Sequence, residues 1–302
     1  MQPERINMAI GTRCFVRCAG CYQYFGASAP DLTLMEEHAA KFVRMGIRAV
    51  TVSGGDPLTI RGLPGFLERL RSLGMEEIKV DTVGTGLLVP GTPGGTWTAC
   101  ERRVDELMSR VDYVGIPLDG WSNETVLTFR EGRPKLFDET ISLLRAMDRR
   151  RKRQVVINTV VHRLNPDSLA RIRDEVNRHP CVAHWNVFQY TRTDRVPDAV
   201  NDRLAIGEAE FLGATAPIAS SKRFNVDIRT VRSRLGQYLL INSDGMCWLP
   251  DEAGRTVLLG RLLPGSEEAM LDAWADQVMR MRRRQLPPRE RPLTDDLYQL
   301  LA

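Results

Sequence analysis

The chain has 302 residues, of which 43% are hydrophobic and 26% charged, with a formal net charge of +4. These are the proportions of a globular protein long enough to bury a full core. No apolar run approaches the roughly 20 residues that span a bilayer, the first residues lack a basic-then-apolar leader pattern, and the six cysteines do not form a disulfide framework. The reading is a cytoplasmic protein that does not associate with membranes.

In chain order, β-rich runs at 6–10, 49–53, 77–83, 113–118, 155–161 and 185–190 alternate with helical patterns at 35–45, 63–73, 100–108, 136–150 and 166–176. Such alternation predicts an α/β fold of parallel strands joined by crossover helices. Periodicity alone supports a barrel or a doubly wound sheet. Thr33, with Glu36 three residues on, predicts the N-cap of the first helix. The Gly- and Pro-rich stretch 89–97 reads as a loop after the third strand, either a lid or a long connection. After Tyr190 the alternation stops. A helix over 201–212 and a connection to 226–234 lead to a hairpin over 238–249 around Asp244-Gly245, a last helix over 271–284 and a Pro-rich tail. The expected division is a core over 1–192 and an extension over 193–302 that closes the mouth of the core.

Cys14, Cys18 and Cys21, in Cys-Phe-Val-Arg-Cys-Ala-Gly-Cys, follow the first strand. Three thiolates on four irons leave one iron for an outside ligand, which fits a corner-open [4Fe-4S] cluster. A zinc knuckle is the alternative, but it needs a fourth ligand nearby, and the nearest histidine is His38. Cys100, Cys181 and Cys247 are too few and too dispersed for a second cluster. The basic runs at 149–153 and 280–291 lack interleaved aromatic residues, which argues against nucleic-acid binding. They read as solvated helix ends or as docking sites for an acidic flavodoxin or ferredoxin type electron donor.

The cysteine motif resembles that of the radical S-adenosylmethionine (SAM) superfamily, and the resemblance extends over residues 6–190. It implies a partial open (βα)6 barrel in which SAM chelates the free iron. Ser53-Gly54-Gly55-Asp56-Pro57 resembles the segment whose backbone and carboxylate hold the amino group of SAM. Asp119 and Arg130 resemble a polar residue and an arginine that contact its carboxylate and ribose, and Asn158 lies on the strand that faces the barrel mouth. Where many members carry an aromatic residue before the third cysteine, this chain has Gly20, so Tyr22 is the candidate for stacking on adenine.

The late Cys247 gives two readings, a buried core residue or a thiol that returns hydrogen to a substrate radical. The second makes the chain similar to the small single-cluster radical SAM epimerases of aminoglycoside biosynthesis. Asp244, Asp251 and Glu252 would then face a polycationic aminoglycoside, since a buried ammonium requires a counter-charge. The rivals are a radical SAM decarboxylase or dehydratase acting on a nucleoside or nucleotide, because residues 155–189 are also similar to the viperin-like branch, and a cluster-bearing electron carrier.

Overall fold

The computed structural model describes residues 1–21, 31–91 and 97–284. The loop tip at 92–96, Tyr22 and the Pro-rich tail lie outside the described residues. Ten strands form one sheet: β1 (Arg5–Ala9), β2 (Ala49–Ser53), β3 (Glu77–Asp81), β4 (Tyr113–Pro117), β5 (Val155–Val161), β6 (Val182–Gln189), β7 (Asn225–Arg229), β8 (Tyr238–Ile241), β9 (Met246–Pro250) and β10 (Thr256–Arg261). Their spatial order is β7-β6-β5-β4-β3-β2-β1-β8-β9-β10. Neighbours from β7 through to β8 pair parallel, and β8, β9 and β10 pair antiparallel.

All six strands expected from the sequence are present. The strand β7 and the edge strand β10 were not expected. Both are short and only half-buried, so neither has the continuous apolar run that marks a central parallel strand.

The helices α1 (Leu32–Arg44), α2 (Leu63–Ser72), α3 (Glu101–Met108), α4 (Asn123–Leu127), α5 (Leu136–Asp148) and α6 (Leu169–Val176) connect the parallel strands, and α7 (Asp198–Leu204), α8 (Glu208–Thr215) and α9 (Glu267–Arg284) follow. The first helix is capped by Asp31, whose carboxylate accepts the Leu34 N–H at 3.0 Å, and Thr33 lies inside its first turn. Asp31 wins because its short side chain reaches an orphan N–H of the first turn from the position just outside the helix, two residues before Thr33.

Strand alternation separates the two faces of the sheet. On β1, Ile6 and Met8 are fully buried in the apolar core with Val50, Val52, Ile78 and Val80, while Asn7 between them faces the barrel interior. Each such side chain contributes about 1.5–3 kcal/mol when fully buried, so the core face fixes the register and the polar face is left for the site. None of the described helices is long and apolar enough to cross a membrane.

Candidate active site

The barrel encloses a cavity of about 660 Å³. Cys14, Cys18 and Cys21 lie on its wall, in the loop that leaves the C-terminal end of β1. Backbone bonds fix this loop on two sides. Ala19 N donates to Phe129 O at 2.8 Å and Arg17–Cys18 pairs with Arg130–Glu131, while Gly55 N donates to Gly11 O at 2.8 Å and Asp56 N to Arg13 O at 2.6 Å. A Cβ on Gly55 would overlap the Arg13 carbonyl, and Gly54 has φ +141°. The glycine pair thus lets the end of β2 press against the cysteine loop, a backbone approach that side chains would block. Ser53, Gly54 and Gly55 also line the cavity.

Asp56 is placed differently from the expectation. Its buried carboxylate accepts the Leu58 N–H at 2.9 Å, the Val83 N–H at 2.8 Å and the Thr82 hydroxyl at 2.8 Å, and it is not part of the cavity wall. Burial raises its pKa against these hydrogen bonds. Asp56 is therefore a clamp between β2 and the end of β3, because its carboxylate is already committed to protein donors.

Asp119 is likewise fully buried and off the wall. It accepts Val160 N at 2.7 Å and forms an ion pair with Arg130, so from behind the cavity wall it holds the arginine in position. Arg130 does line the cavity, and its Nη1 donates to Cys18 Sγ at 3.1 Å. Burial disfavours the guanidinium charge, but Asp119 and the cysteine sulfurs outweigh it, so Arg130 stays protonated.

Burial also raises the thiol pKa values of Cys14 and Cys18, with Arg130 partly offsetting this at Cys18. Metal binding there releases the thiol protons. Among the described residues no three His, Cys, Asp or Glu side chains close on a single metal ion. The three thiols stand along one wall of a cavity instead, and an all-sulfur donor set of this kind suits an iron-sulfur cluster.

The other expected residues separate. Asn158 lines the cavity. Asp251 does too, but its carboxylate is used in its own turn, accepting Ala253 N at 2.9 Å and Arg255 N at 2.8 Å. Asp244 closes the hairpin turn by accepting Met246 N at 3.0 Å, and Glu252 is exposed near Arg284. Neither lies on the cavity wall: the Asp244 carboxylate satisfies an N–H of its own turn, and Glu252 is at the surface.

Cys247 is fully buried in the core cluster. It is opposite Ile241, whereas Trp248, opposite Leu240, faces the cavity. Alternation along β9 turns the thiol to the back of the sheet, where burial and Asp244 raise its pKa. This corrects the expectation of a thiol in the cavity.

Several wall residues were not picked out in the sequence. Asn7, Thr51, Lys79, Asp81 and Asn186 project inward from four strands, and the extension adds Tyr238 and Trp248. The available signal was a polar residue breaking an apolar strand, as in Lys79-Val80-Asp81. Tyr190 is another. A Cβ on Gly20 would overlap its ring, so Tyr190 fills the space left by the missing aromatic residue, with its hydroxyl donating to Asn201 Oδ1 at 2.9 Å.

The sequence profile of the radical SAM superfamily matches residues 8–176. The chain belongs to the radical SAM superfamily. Its cofactors are accordingly a [4Fe-4S] cluster and SAM. Among curated proteins, the GTP 3',8-cyclase of Hydrogenovibrio crunogenus is 31% identical over 87 residues, 26% of each chain. That of Caulobacter vibrioides is 31% identical over 91 residues, 27% of this chain and 26% of the relative. The matches thus span about a quarter of these relatives.

Among solved structures, Streptococcus suis SuiB bound to S-adenosylmethionine aligns with a TM-score of 0.63 at 13% identity, covering 82% of this chain and 60% of that one. Native anSMEcpe with bound AdoMet aligns with a TM-score of 0.58 at 14% identity, covering 93% and 86%. At these identities the likeness shows the fold, a partial barrel.

Proposed function

We propose that this radical SAM enzyme is an isomerase that inverts one carbon of an aminoglycoside sugar, of the neomycin C to neomycin B type. The observation that supports this most is the polar barrel floor. Asn7, Lys79, Asp81, Asn158 and Asn186 present amide, ammonium and carboxylate groups to the cavity, and these match the hydroxyl and amino substituents of a sugar.

In this reading Cys14, Cys18 and Cys21 hold the cluster, the Ser53-Gly54-Gly55 backbone takes the amino group of SAM, and Arg130 takes its carboxylate. Arginine suits that partner because it offers a planar fork of donors. Tyr190 flanks the adenine side. When bound, the cluster and SAM would supply the radical chemistry that activates a substrate C–H bond.

The protein's own residues orient the sugar, exclude water and return hydrogen to the opposite face. Tyr238 is suited to that return. It is in register with Arg5 at the start of β1, while the cysteines follow the end of β1, and it lines the cavity. Its oxygen accepts from Arg229 Nη1, which leaves the O–H to donate. Hydrogen transfer forms a C–H bond and breaks the phenol O–H bond. One electron from a flavodoxin or ferredoxin type donor and one proton from solvent then restore the phenol.

The test is an anaerobic assay of SAM cleavage with neomycin C and, separately, with GTP. Neomycin C should stimulate 5'-deoxyadenosine formation, and the product should have unchanged mass in ordinary water and one added deuterium in deuterium oxide. Tyr238→Phe should stop inversion after abstraction. Stimulation by GTP alone would favour a second reading, a nucleotide-acting enzyme, which the names of the two curated relatives and the cavity residues Arg17 and Arg192 support.

A further inference from the structure

We infer that Asp81, together with Lys79 and Asn158, forms the seat of a ring hydroxyl of the substrate and determines which sugars bind. The inference rests on the reading of a sugar-binding cavity but goes beyond it in naming the atoms. These three side chains come from two strands and converge over Gly115 of β4. The Lys79 Nζ is 2.9 Å from Asp81 Oδ1, and Asn158 Nδ2 donates to the same oxygen at 3.1 Å. A Cβ on Gly115 would overlap Asp81 Oδ1 and crowd both Asn158 Nδ2 and the Lys79 side chain. Gly115 is a strand residue with ordinary backbone geometry, so its missing side chain serves space rather than conformation.

The hydrogen bonding is left half complete on the cavity side. Among the described residues Asp81 Oδ2 accepts no bond, and Lys79 has N–H groups beyond the one facing Asp81. Asn158 Oδ1 is taken by Asn186 Nδ2 at 3.0 Å, which fixes the amide orientation and points its donors at Asp81. A group that only accepts thus stands beside a group that only donates. A hydroxyl is the substituent that answers both, by donating to Asp81 and accepting from Lys79. An ammonium would satisfy Asp81 but face the like charge of Lys79, and a phosphate would satisfy Lys79 but face Asp81. The side chain of Lys79 is 12% exposed and that of Asp81 31%, so the site is sheltered while still reachable from the cavity.

The experiment is calorimetric binding to the cluster-loaded, SAM-bound enzyme. The probes are neomycin C, its derivatives lacking single ring hydroxyls, GTP and 2',3'-dideoxy-GTP. Asp81→Asn should weaken binding of the hydroxylated probe about 10- to 100-fold, the range expected when a charged hydrogen-bond partner is lost. Gly115→Ala, which leaves every polar group in place, should do the same by displacing the carboxylate. One deoxy derivative should bind wild type as weakly as its parent binds Asp81→Asn, and the variant should not distinguish the two. A merely structural role would not erase that discrimination. If wild type binds GTP but not neomycin C, the aminoglycoside reading fails while the seat stands, provided that Asp81→Asn removes the preference for GTP over its dideoxy form. Unchanged affinity in both variants, intact discrimination in Asp81→Asn, or no binding of any probe to wild type overturns the inference.

Discussion

Replacing Arg130 by Met should destabilise the protein by about 3–5 kcal/mol, the cost of leaving a buried carboxylate without its partner. The figure follows from the burial of both groups. Asp119 has no exposed surface, and the Arg130 side chain is 13% exposed. After the substitution the Asp119 carboxylate keeps, among the described residues, one hydrogen bond, from the Val160 N–H at 2.7 Å. Against a total stability of about 5–15 kcal/mol, the variant should still fold under native conditions. Urea unfolding of the cluster-free chain measures the change, and a double-mutant cycle with Asp119→Asn isolates the pair. The double variant should be less destabilised than the sum of the two singles, because removing the charge also removes the penalty. Loss of the bond to Cys18 Sγ should additionally lower cluster content, read by iron analysis. A loss below about 1 kcal/mol, or strictly additive effects, would refute the argument that Asp119 exists to hold Arg130.

Gly55→Ala places a methyl group against the Arg13 carbonyl, so it should shift the cysteine loop, cost about 1–3 kcal/mol and lower iron content; wild-type iron content and an unchanged unfolding midpoint would contradict this. Cys247→Ala should cost about 1 kcal/mol as an ordinary core truncation and leave inversion intact, since the thiol faces away from the cavity. Loss of inversion with SAM cleavage retained would return the thiol to the chemistry. His162 is buried, and burial first, then Arg130 and Arg203, lower its pKa to about 4, with Asp119 opposing. The unfolded chain binds this proton near pH 6.5, so stability should fall by up to about 3 kcal/mol as pH drops from 6.5 to 4. His162→Gln should flatten that limb of the stability profile, and an unaltered slope would count against it.

The residues that were legible in the sequence are those whose spacing carries their meaning. The cysteine trio, the six central strands and the glycine pair after β2 could be placed because short spacings and apolar runs encode them locally. Side-chain direction was harder to read. Asp56 and Asp119 have the right residue type at the right motif position, yet both carboxylates turn inward to satisfy backbone N–H groups and an arginine brought close only by folding. Cys247 stands one residue from a cavity-lining tryptophan, and the two-residue period of a strand sends it to the other face. The polar floor around Gly115 of β4 joins side chains from β1, β3, β5 and β6, and no local pattern reports a glycine whose purpose is to make room for a carboxylate from another strand.

The central claim is that three thiols on the β1 loop hold one cluster with a coordination position left for SAM. Electron paramagnetic resonance of the anaerobically reconstituted, reduced protein tests this most directly. The account predicts a [4Fe-4S] signal that changes shape when SAM is added and that disappears when Cys14, Cys18 and Cys21 are replaced by alanine. A signal that ignores SAM, or one that survives the triple replacement, would contradict it.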